Sequence, residues 1–297
     1  MQLVYRSLWI ILPRIERFFM QKFKTVLSIA GSDSIAGAGI QADIRTGSAL
    51  GVYVMSVVTA VTAQNSAGVI GYEAVSPEML RMQLTAVIED IVPDAVKIGM
   101  IPTAEHAEVI AEFIKNHGLK NVVLDPVMTS TSGRALNGHS TLHVMLEQLM
   151  PSATLITPNI PEAVRILGEN ILSYEDRKAA CRRLLERVGC GGVLLKAGHA
   201  DDEILSDILT IAEAGLIKEY EFSHLRIETV NTHGTGCTLS SAIASYLALG
   251  EELVSAVEKG IIYLQGALKA GREYSFGRLG GHGPVDHFFA RKQVAQR

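Results

Sequence analysis

TVLSIA at residues 25–30, followed by GSDSIAGAG at residues 31–39, is the stretch that decides the fold class. The first run is short and mostly apolar, which is typical of a strand that is covered on both faces. The glycines that follow allow the backbone to turn sharply. Residues Ile40–Leu50 then have the pattern of a helix. A strand, a glycine-rich turn and a helix in this order predict the first unit of a parallel α/β sheet.

The same alternation of short apolar runs and longer amphipathic runs continues along the chain. The runs that predict further strands are Tyr53–Ala63, Asp94–Ile98, Asn121–Leu124, Thr154–Ile156 and Gly192–Leu195. The runs that predict further helices are Pro77–Asp90, Ala104–His117, Leu142–Leu149 and Tyr174–Val188. Strands that alternate with helices pair in parallel through right-handed crossovers. The sequence therefore predicts a three-layer α/β/α sandwich with a mainly parallel central sheet, in which ligands bind beyond the carboxyl ends of the strands.

Residues 201–230 depart from this rhythm. Apolar runs around Ile204–Ile211 and Gly215–Ile217, followed by the alternating run Phe222–Ile227, predict an antiparallel excursion. A long helix with an apolar stripe that begins at Val254 follows near the end of the chain.

The N-terminal segment carries no clear targeting or membrane signal. Its apolar run, Leu3–Leu12, is interrupted by Arg6. The run is too short to span a bilayer, and it lacks the small-residue cleavage site of a signal peptide. We therefore expect a tail or extension at residues 1–20, with a start at Met20 or an amphipathic surface anchor as the alternatives. Because no repeat or linker is visible, we expect a single domain over residues 21–297.

The composition argues against several classes of protein. With 48% hydrophobic and 20% charged residues, the 297-residue chain has the composition of a folded globular protein rather than a disordered one. The net charge of −4, from 27 basic and 31 acidic side chains, argues against a general nucleic-acid-binding protein. Cys181, Cys190 and Cys237 form no CxxC pair, so we expect reduced thiols and a cytoplasmic location.

The loop NTHGTGC at residues 231–237 leads directly into a run with one apolar helical face. Glycines on both sides of Thr235 allow several backbone N–H groups to point at one place. That place lies at the positive end of the helix dipole, which favours an anion such as a phosphate. Cys237 would lie in the first turn, where the same field lowers the pKa of a thiol. The alternative is an ordinary helix entry with a buried cysteine.

The first glycine loop differs from a dinucleotide-binding loop. Its glycines fall at residues 31, 37 and 39, and no acidic residue closes a second strand about 20 residues later. The loop allows a ligand to approach the backbone closely, with Asp33 and Asp43 nearby. Asp43 could accept a hydrogen bond from a substrate hydroxyl, or it could simply be an acidic residue that the helix dipole favours at that position.

Polar residues follow two of the other predicted strands. Asp125 ends one strand, and Asn159 and Glu162 follow the next. Oxygen ligands at the carboxyl end of a sheet suit a hydrated Mg²⁺ ion that also binds phosphates. The alternative is that Asn159 caps a helix with Glu162 at its third position, as in a capping box.

Two further strands end in Gln64 and Lys196. A lysine that closes an apolar strand is costly to bury unless it reaches solvent or meets an anion, such as a nucleotide phosphate. The neutral carboxamide of Gln64 can accept from an exocyclic amine and donate to an adjacent ring nitrogen, which suits an uncharged heterocycle. Each of these residues alone is more often structural. Five strand ends that supply such residues together indicate a ligand site.

The motifs also resemble those of a known family. In order, they are AGSD at 30–33, GAGIQAD at 37–43, AQN at 63–65, KIGM at 97–100, DPVM at 125–128, TPN at 157–159 with Glu162, KAGH at 196–199, NTHGTGCT at 231–238 and GHGPV at 281–285. From Lys24 to Phe289 the chain resembles the hydroxymethylpyrimidine and hydroxymethylpyrimidine-phosphate kinases of thiamine biosynthesis, which belong to the ribokinase-like superfamily.

The resemblance implies a ribokinase-like fold, a homodimer, and ATP and Mg²⁺ as cofactors. The implied reaction transfers the γ-phosphoryl group of ATP to the hydroxymethyl group of 4-amino-5-hydroxymethyl-2-methylpyrimidine. A second transfer, to the monophosphate, gives the diphosphate. We expect these small molecules as partners, and neither nucleic acid nor a membrane.

The resemblance also implies roles for individual residues, which fall into four groups. It assigns Gln64, Asp43, Ala38, Val127 and Gly31 to the pyrimidine, Asp125 and Glu162 to magnesium, Asn159, Lys196, His233, Gly234, Thr235 and Gly236 to ATP and its phosphates, and Cys237, Gly236 and Lys196 to catalysis. Cys237 stands where most of the superfamily has an aspartate base, so it would accept or orient the proton of the substrate hydroxyl. The chain departs from the family pattern at Ile35-Ala36, where Ser-Gly or Gly-Gly is usual, which predicts a stiffer loop.

Three other functions remain open from the sequence. A pyridoxal kinase shares the cysteine loop, although Gln64 favours the pyrimidine because pyridoxal lacks an amine beside a ring nitrogen. A thiol hydrolase would use Cys237 and His233, although residues so close around a tight turn rarely align as nucleophile and base. A non-catalytic protein would bind ATP without consuming it.

Overall fold

A computed structural model describes residues 22–129, 136, 138–198, 203–277 and 280–290. The predicted tail or extension at residues 1–20 lies outside this range. Within it, nine strands form one sheet. They are β1 (Thr25–Asp33), β2 (Tyr53–Asn65), β3 (Gly68–Ala74), β4 (Ala95–Ile98), β5 (Val122–Leu124), β6 (Leu155–Ile156), β7 (Gly192–Leu195), β8 (Ile204–Glu213) and β9 (Leu216–Leu225).

The strands lie in the order β3-β2-β1-β4-β5-β6-β7-β8-β9. The six strands from β2 to β7 in this order pair in parallel. β3 at one edge, and β8 with β9 at the other, are antiparallel. The predicted mainly parallel sheet is confirmed, and the predicted antiparallel excursion is the β8–β9 hairpin.

The helices of the described residues follow the strands in the order expected for this fold. They are α1 (Gly39–Ala49), α2 (Pro77–Ile88), α3 (Ala104–Asn116), α4 (His139–Val144), α5 (Ile160–Leu167), α6 (Tyr174–Val188), α7 (Thr235–Ala248) and α8 (Leu253–Gly271). α4 continues into a π-helical turn, Met145–Leu149, and a short 3₁₀ turn, Met150–Ser152. In the described residues, no helix is at once long enough and apolar enough to pass through a bilayer.

The helices cover both faces of the sheet, as the prediction of three layers requires. Helices α2 to α6 pack on one face, where Val122 and Leu124 of β5 point. Helices α7 and α8 pack on the other face, where the intervening Val123 points, and α1 lies beside α7. Successive side chains of a strand point to opposite faces. The apolar residues at every position of β5 are therefore buried, because helices cover both faces of the sheet.

Two elements differ from the sequence-based expectation. β3 carries partly exposed residues at the edge of the sheet, so it lacks the continuous apolar run that marked the buried strands. α5 has only eight residues, but a capping box fixes its start at Asn159. The parallel order brings the ends of β1, β2, β5, β6 and β7 to one edge of the sheet, beside the starts of α1 and α7.

Candidate active site

The two predicted glycine loops pack directly against each other. Gly234 has φ +82°, and a Cβ atom there would lie 1.9 Å from the carbonyl oxygen of Gly37. A Cβ atom on Gly37 would lie 2.3 Å from Cδ2 of His233. The Gly39 N–H donates to Sγ of Cys237 at 3.4 Å. Glycine is therefore required at both contacts, because the backbones could not otherwise approach each other so closely.

α7 begins within this contact without a side-chain cap. Its N-cap residue, Gly234, offers no side-chain acceptor to the first-turn N–H groups, whereas Asn159 caps α5. The Thr235 N–H already donates to the carbonyl oxygen of Thr232 at 3.3 Å. The first-turn amides at Gly236 and Cys237 are therefore the groups that this helix start can offer to an anion.

Lys196 and Asp125 meet at the same place. The Lys196 ammonium lies 2.7 Å from Oδ1 of Asp125, which also accepts from the Thr157 hydroxyl at 3.1 Å. A Cβ atom on Gly236 would lie 3.1 Å from Oδ2 of Asp125 and 3.5 Å from Nζ of Lys196. The structure thus brings together the loop that was predicted to bind an anion and the charged residues that end β5 and β7.

The lysine keeps its positive charge in this position. Burial alone would lower the pKa of Lys196, but the charges of Asp125 and Glu162 outweigh burial and hold the pKa above its ordinary value. Lys196 therefore remains an ammonium group at neutral pH, and it can neutralise negative charge that develops beside Gly236.

Glu162 has a structural role that the sequence left as an alternative. Its carboxylate accepts from the Asn159 N–H, and its own N–H donates to Oδ1 of Asn159, both at 2.8 Å. This is a capping box at the start of α5. Burial, opposed by Lys196 and reinforced by Asp125, raises the pKa of Glu162 to about 7. Burial and the nearby carboxylate disfavour the negative charge of Glu162. A cation bound beside the two carboxyl groups would compensate this charge.

The prediction that the helix field acidifies the Cys237 thiol is wrong. Burial raises the pKa of Cys237, and the negative charges of Asp43 and Asp125 raise it further. Lys97 and the Gly39 N–H act in the opposite direction but do not compensate. At neutral pH the thiol is therefore protonated, because desolvation of a thiolate costs more than the favourable contacts return.

Asp43 is not available to a substrate hydroxyl, contrary to the expectation. Both of its carboxylate oxygens lie 2.9 Å from Nζ of Lys97, and the hydroxyls of Ser28 and Ser241 also donate to them. The residue is 1% exposed. Its side chain lies beneath the site and holds Lys97, whose ammonium acts on Cys237.

Lys97 is a charged residue of this region for which the sequence predicted no role. It is fully buried in β4, and a Cβ atom on Gly99 would lie 2.9 Å from its Nζ atom. The signal was present in the sequence, because a lysine within the apolar strand AVKI needs a buried anionic partner. That partner is Asp43.

His233 was assigned to the phosphates of ATP, but its ring faces another part of the site. Its Nε2 atom lies 2.8 Å from Oδ2 of Asp33 and 3.2 Å from Nε2 of Gln64. The residue is 5% exposed. The imidazole is therefore enclosed on the side of the predicted pyrimidine ligand. Because Nε2 is directed at Asp33, the geometry does not support a thiol hydrolase based on Cys237 and His233.

The remaining predicted pyrimidine contacts lie around the ends of β1 and β5. A Cβ atom on Gly31 would lie 3.0 Å from Sδ of Met100. The Ala38 N–H donates to Asp33 at 2.8 Å, so it is already used within the loop. Val127 packs against an apolar cluster that contains Ala60 and Met100. The position of Val127 suits the wall of a pocket, which stays a prediction.

The comparison with known proteins identifies the family. A family model described as phosphomethylpyrimidine kinase matches residues 33–286. The chain belongs to this family. It is 44% identical over 262 residues to the hydroxymethylpyrimidine/phosphomethylpyrimidine kinase of Rhizobium meliloti, and the match covers 88% of this chain and 96% of that protein. The kinase of the same name from Escherichia coli is 41% identical over 264 residues, which are 89% of this chain and 97% of that protein.

Some relatives of this protein are longer chains. The chain is 45% identical to a thiamine biosynthesis bifunctional protein of Geobacter sulfurreducens over 275 residues, which are 92% of this chain but 54% of that protein. The chain therefore spans about half the length of this bifunctional relative, whereas it spans nearly all of the kinases above.

Two solved structures share the fold. The phosphomethylpyrimidine kinase of Clostridium difficile is 44% identical with a TM-score of 0.71, covering 82% of this chain and 99% of that chain. A pyridoxal kinase of Bacillus subtilis, solved as an ADP complex, is 33% identical with a TM-score of 0.81, covering 91% and 100%. The ribokinase-like fold is common to both kinds of kinase, while the sequence identity is higher to the phosphomethylpyrimidine kinase.

The departure from the usual family loop has a backbone consequence. Ala36 has φ +61°, in the left-handed region that favours glycine. The family that the chain resembles usually has Ser-Gly or Gly-Gly where this chain has Ile35-Ala36. Alanine at this position stores conformational strain in the loop.

Membership of the phosphomethylpyrimidine kinase family implies a Mg²⁺ ion. The question is whether the side chains of the site fit this ion. Within the described ranges, no cluster of three or more His, Cys, Asp or Glu side chains could enclose a metal by itself. Asp125 and Glu162 do interact electrostatically, since the charge of Asp125 raises the pKa of Glu162. This set fits Mg²⁺, which usually binds one or two carboxylates and completes its shell with water and phosphate oxygens.

Proposed function

We propose that the protein is an ATP-dependent kinase that phosphorylates 4-amino-5-hydroxymethyl-2-methylpyrimidine and then its monophosphate. One observation carries this proposal: the Lys196–Asp125 pair lies beside Gly236 at the uncapped start of α7. A fixed cation and backbone amides at one point are what the stabilisation of a migrating phosphoryl group requires.

Phosphoryl transfer depends mainly on alignment and on neutralisation of charge. In the proposed reaction, the amides of Gly236 and Cys237 and the ammonium of Lys196 bind the phosphoryl oxygens. Asp125 holds Lys196 in place through the 2.7 Å contact. Mg²⁺, held through water by Asp125 and Glu162, would supply further positive charge when ATP binds. The protein thus orients the phosphoryl group before the reaction begins.

Cys237 acts on the substrate hydroxyl. Because burial raises the pKa of its thiol, it is a poor general base in the resting state. In a loose transition state the hydroxyl keeps its proton until bond formation is well advanced, so a strong base is not needed. Its first role is therefore to orient the hydroxyl. The nearby positive charge of Lys97 favours the thiolate form of Cys237, which is the form that can accept the proton of the hydroxyl as the new P–O bond forms.

A pyridoxal kinase is the second candidate. The observation that favours it is the shared fold with pyridoxal kinases, including one from Staphylococcus aureus in complex with AMP-PCP and pyridoxal at 29% identity and a TM-score of 0.81. Gln64 favours the pyrimidine, since its carboxamide matches an amine beside a ring nitrogen. We also propose a homodimer that works in the cytoplasm.

Release of ADP with one alcohol at a time tests the proposal. The purified protein is offered ATP, Mg²⁺ and either the pyrimidine alcohol, its monophosphate or pyridoxal. We expect both pyrimidine compounds to be turned over with a higher kcat/KM than pyridoxal. A higher kcat/KM for pyridoxal would establish the second candidate, and binding of ATP without turnover of any alcohol would contradict both.

A further inference from the structure

The hydrogen-bond pattern around Asp33 fixes the position of one proton on His233. Asp33 accepts N–H groups from Ile35 at 3.0 Å, Gly37 at 2.9 Å and Ala38 at 2.8 Å. Burial alone would raise the pKa of Asp33, but hydrogen bonds from His233, Ala38 and Ile35 and the charge of His233 hold it below its ordinary value. Asp33 is therefore a carboxylate with no hydrogen to donate.

His233 must donate the hydrogen in its contact with Asp33. Its Nε2 atom lies 2.8 Å from Oδ2 of Asp33, which is the distance of a charge-assisted hydrogen bond. Because the carboxylate can only accept, Nε2 carries the hydrogen. A ring nitrogen that carries a hydrogen cannot at the same time accept one from a neighbour.

The carboxamide of Gln64 is therefore constrained. Its nitrogen stands 3.2 Å from Nε2 of His233, and its oxygen 3.3 Å from the Thr62 hydroxyl. The Thr62 hydroxyl also has a single hydrogen, and it lies 3.0 Å from the carbonyl oxygen of Ser32. With this orientation, two donors face each other at His233, and two acceptors compete for one hydrogen at Thr62.

A half-turn of the carboxamide removes the conflict at Thr62. At His233 it replaces the contact between two donors with one hydrogen that two acceptors share. The two ends of the group have nearly the same shape, so hydrogen-bond partners decide which end is oxygen. After the turn, the hydrogen on His233 Nε2 is shared between Oδ2 of Asp33 and the oxygen of Gln64, and the nitrogen of Gln64 donates to the Thr62 hydroxyl. Thr62 then donates its own hydrogen to Ser32.

We propose that Asp33 and His233 are specificity-determining positioning residues that lock the Gln64 carboxamide with its oxygen towards His233 and its nitrogen towards Thr62. The proposal rests on the proposed function, in which Gln64 binds the pyrimidine. The outer edge of the carboxamide then presents one acceptor and one donor in a fixed order. An amine beside an unprotonated ring nitrogen fits this edge in one direction, with the amine on the side of His233, and this direction sets where the hydroxymethyl group points.

The position of the proton can be measured without any substrate. In the ¹⁵N-labelled full chain, long-range ¹H–¹⁵N spectra of the imidazole rings report which ring nitrogen carries hydrogen, and the His233→Gln spectrum assigns the signals. We expect a hydrogen on Nε2 of His233. A neutral ring that is protonated only at Nδ1 would overturn the proposal. This result stands whether or not the pyrimidine is the substrate.

Kinetics test the consequence for specificity. His233→Leu removes the donor, while His233→Gln places an amide N–H near the former position of Nε2. We expect His233→Leu to raise KM for the pyrimidine alcohol about tenfold, the effect of one hydrogen bond of about 1.4 kcal/mol. KM for ATP should stay within about twofold, and His233→Gln should restore most of the loss. A rise in KM for ATP with an unchanged KM for the pyrimidine would instead support a phosphate role for His233.

A third experiment uses the unmodified protein, so its result does not depend on whether a variant folds. The 4-oxo analogue of the pyrimidine alcohol carries a carbonyl group beside a ring N–H, which reverses the order of donor and acceptor. We expect it to bind at least about tenfold more weakly, since the locked carboxamide leaves its groups unpaired. Equal binding of both compounds would overturn the lock. If the unmodified protein turns over no pyrimidine alcohol, the proposed function fails, while the proton on Nε2 still decides the positioning of Gln64.

Discussion

The Lys196 ammonium lies 2.7 Å from the Asp125 carboxylate, and both groups border the backbone of Gly236. The two residues end strands β7 and β5 and are separated by 71 positions in the sequence. Their contact joins the start of α7, which is proposed to bind an anion, to the charged edge of the sheet.

Replacement of Lys196 should remove most of the activity. In Lys196→Met, the positive charge that would stabilise the moving phosphoryl group is lost, so we expect kcat to fall about 100-fold or more. ADP release measures the effect. Lys120→Met, at an exposed position, is the matched control and should retain full activity. A fall of the same size in the control, or none in Lys196→Met, would contradict the assignment.

Side chains at Gly236 should impair the site in proportion to their charge and size. A Cβ atom there meets Oδ2 of Asp125 at 3.1 Å, so Gly236→Ala should reduce kcat moderately. Gly236→Asp should be worse, because it adds a carboxylate beside Asp125, where phosphate oxygens are proposed to bind. Gly71→Ala is the control, since nothing lies within 4 Å of a Cβ atom at that position. Equal kcat for the two variants at Gly236 would show that charge plays no part.

Cys237→Ala should lower turnover more than it affects binding of ATP. Loss of the group that orients the hydroxyl is expected to cost at least about tenfold in kcat, with little change in the Kd of ATP. Because burial raises the pKa of Cys237, alkylation of this thiol in the unmodified protein should have its midpoint at a higher pH than a free cysteine. Unchanged turnover in Cys237→Ala would remove the cysteine from the mechanism.

The contribution of Glu162 to the stability of the protein should fall as the pH rises from about 4.5 to about 7. The pKa of Glu162 is raised from 4.5 to about 7 in the folded state, so in this window Glu162 binds more protons in the folded state than in the unfolded state. Burial of His287, which lowers its pKa to about 4, acts in the opposite direction. Denaturant unfolding at several pH values measures the slope. Glu162→Gln, which keeps an oxygen for the Asn159 N–H, should remove the contribution of Glu162, so its slope of stability against pH should be more positive than that of the unmodified protein. An identical slope in the variant would show that Glu162 does not titrate in this range.

Ala36→Gly should stabilise the protein. Ala36 has φ +61°, and relief of this left-handed strain is worth about 1 kcal/mol in the free energy of unfolding. Ala86→Gly, at an exposed position inside α2, is the matched control and should destabilise by about 1 kcal/mol, because glycine is a poor helix former. If both variants are destabilised to the same extent, the loop at Ala36 is not strained.

Much of the fold could be predicted because it depends on local patterns. The apolar runs gave the strands, and Gly192–Leu195 and Tyr174–Val188 have the bounds that were expected. The edge strand β3 was missed, because partial exposure interrupts its apolar pattern. The two interpretations of Asn159 and Glu162 were both open, and the structure shows the capping box, while the magnesium site stays a prediction.

The sequence by itself determined the order of the elements and which polar residues end the parallel strands, because both follow from the periodicity of neighbouring residues. Only the tertiary structure decided what those residues contact. Asp43 accepts a hydrogen bond from Lys97, which is 54 positions away. His233 forms a hydrogen bond with Asp33, which is 200 positions away. Burial likewise raises the pKa of Cys237, against the local field of its helix. Hydrogen bonds between distant segments and the loss of water around buried groups arise only when the chain is packed, so local sequence does not encode them.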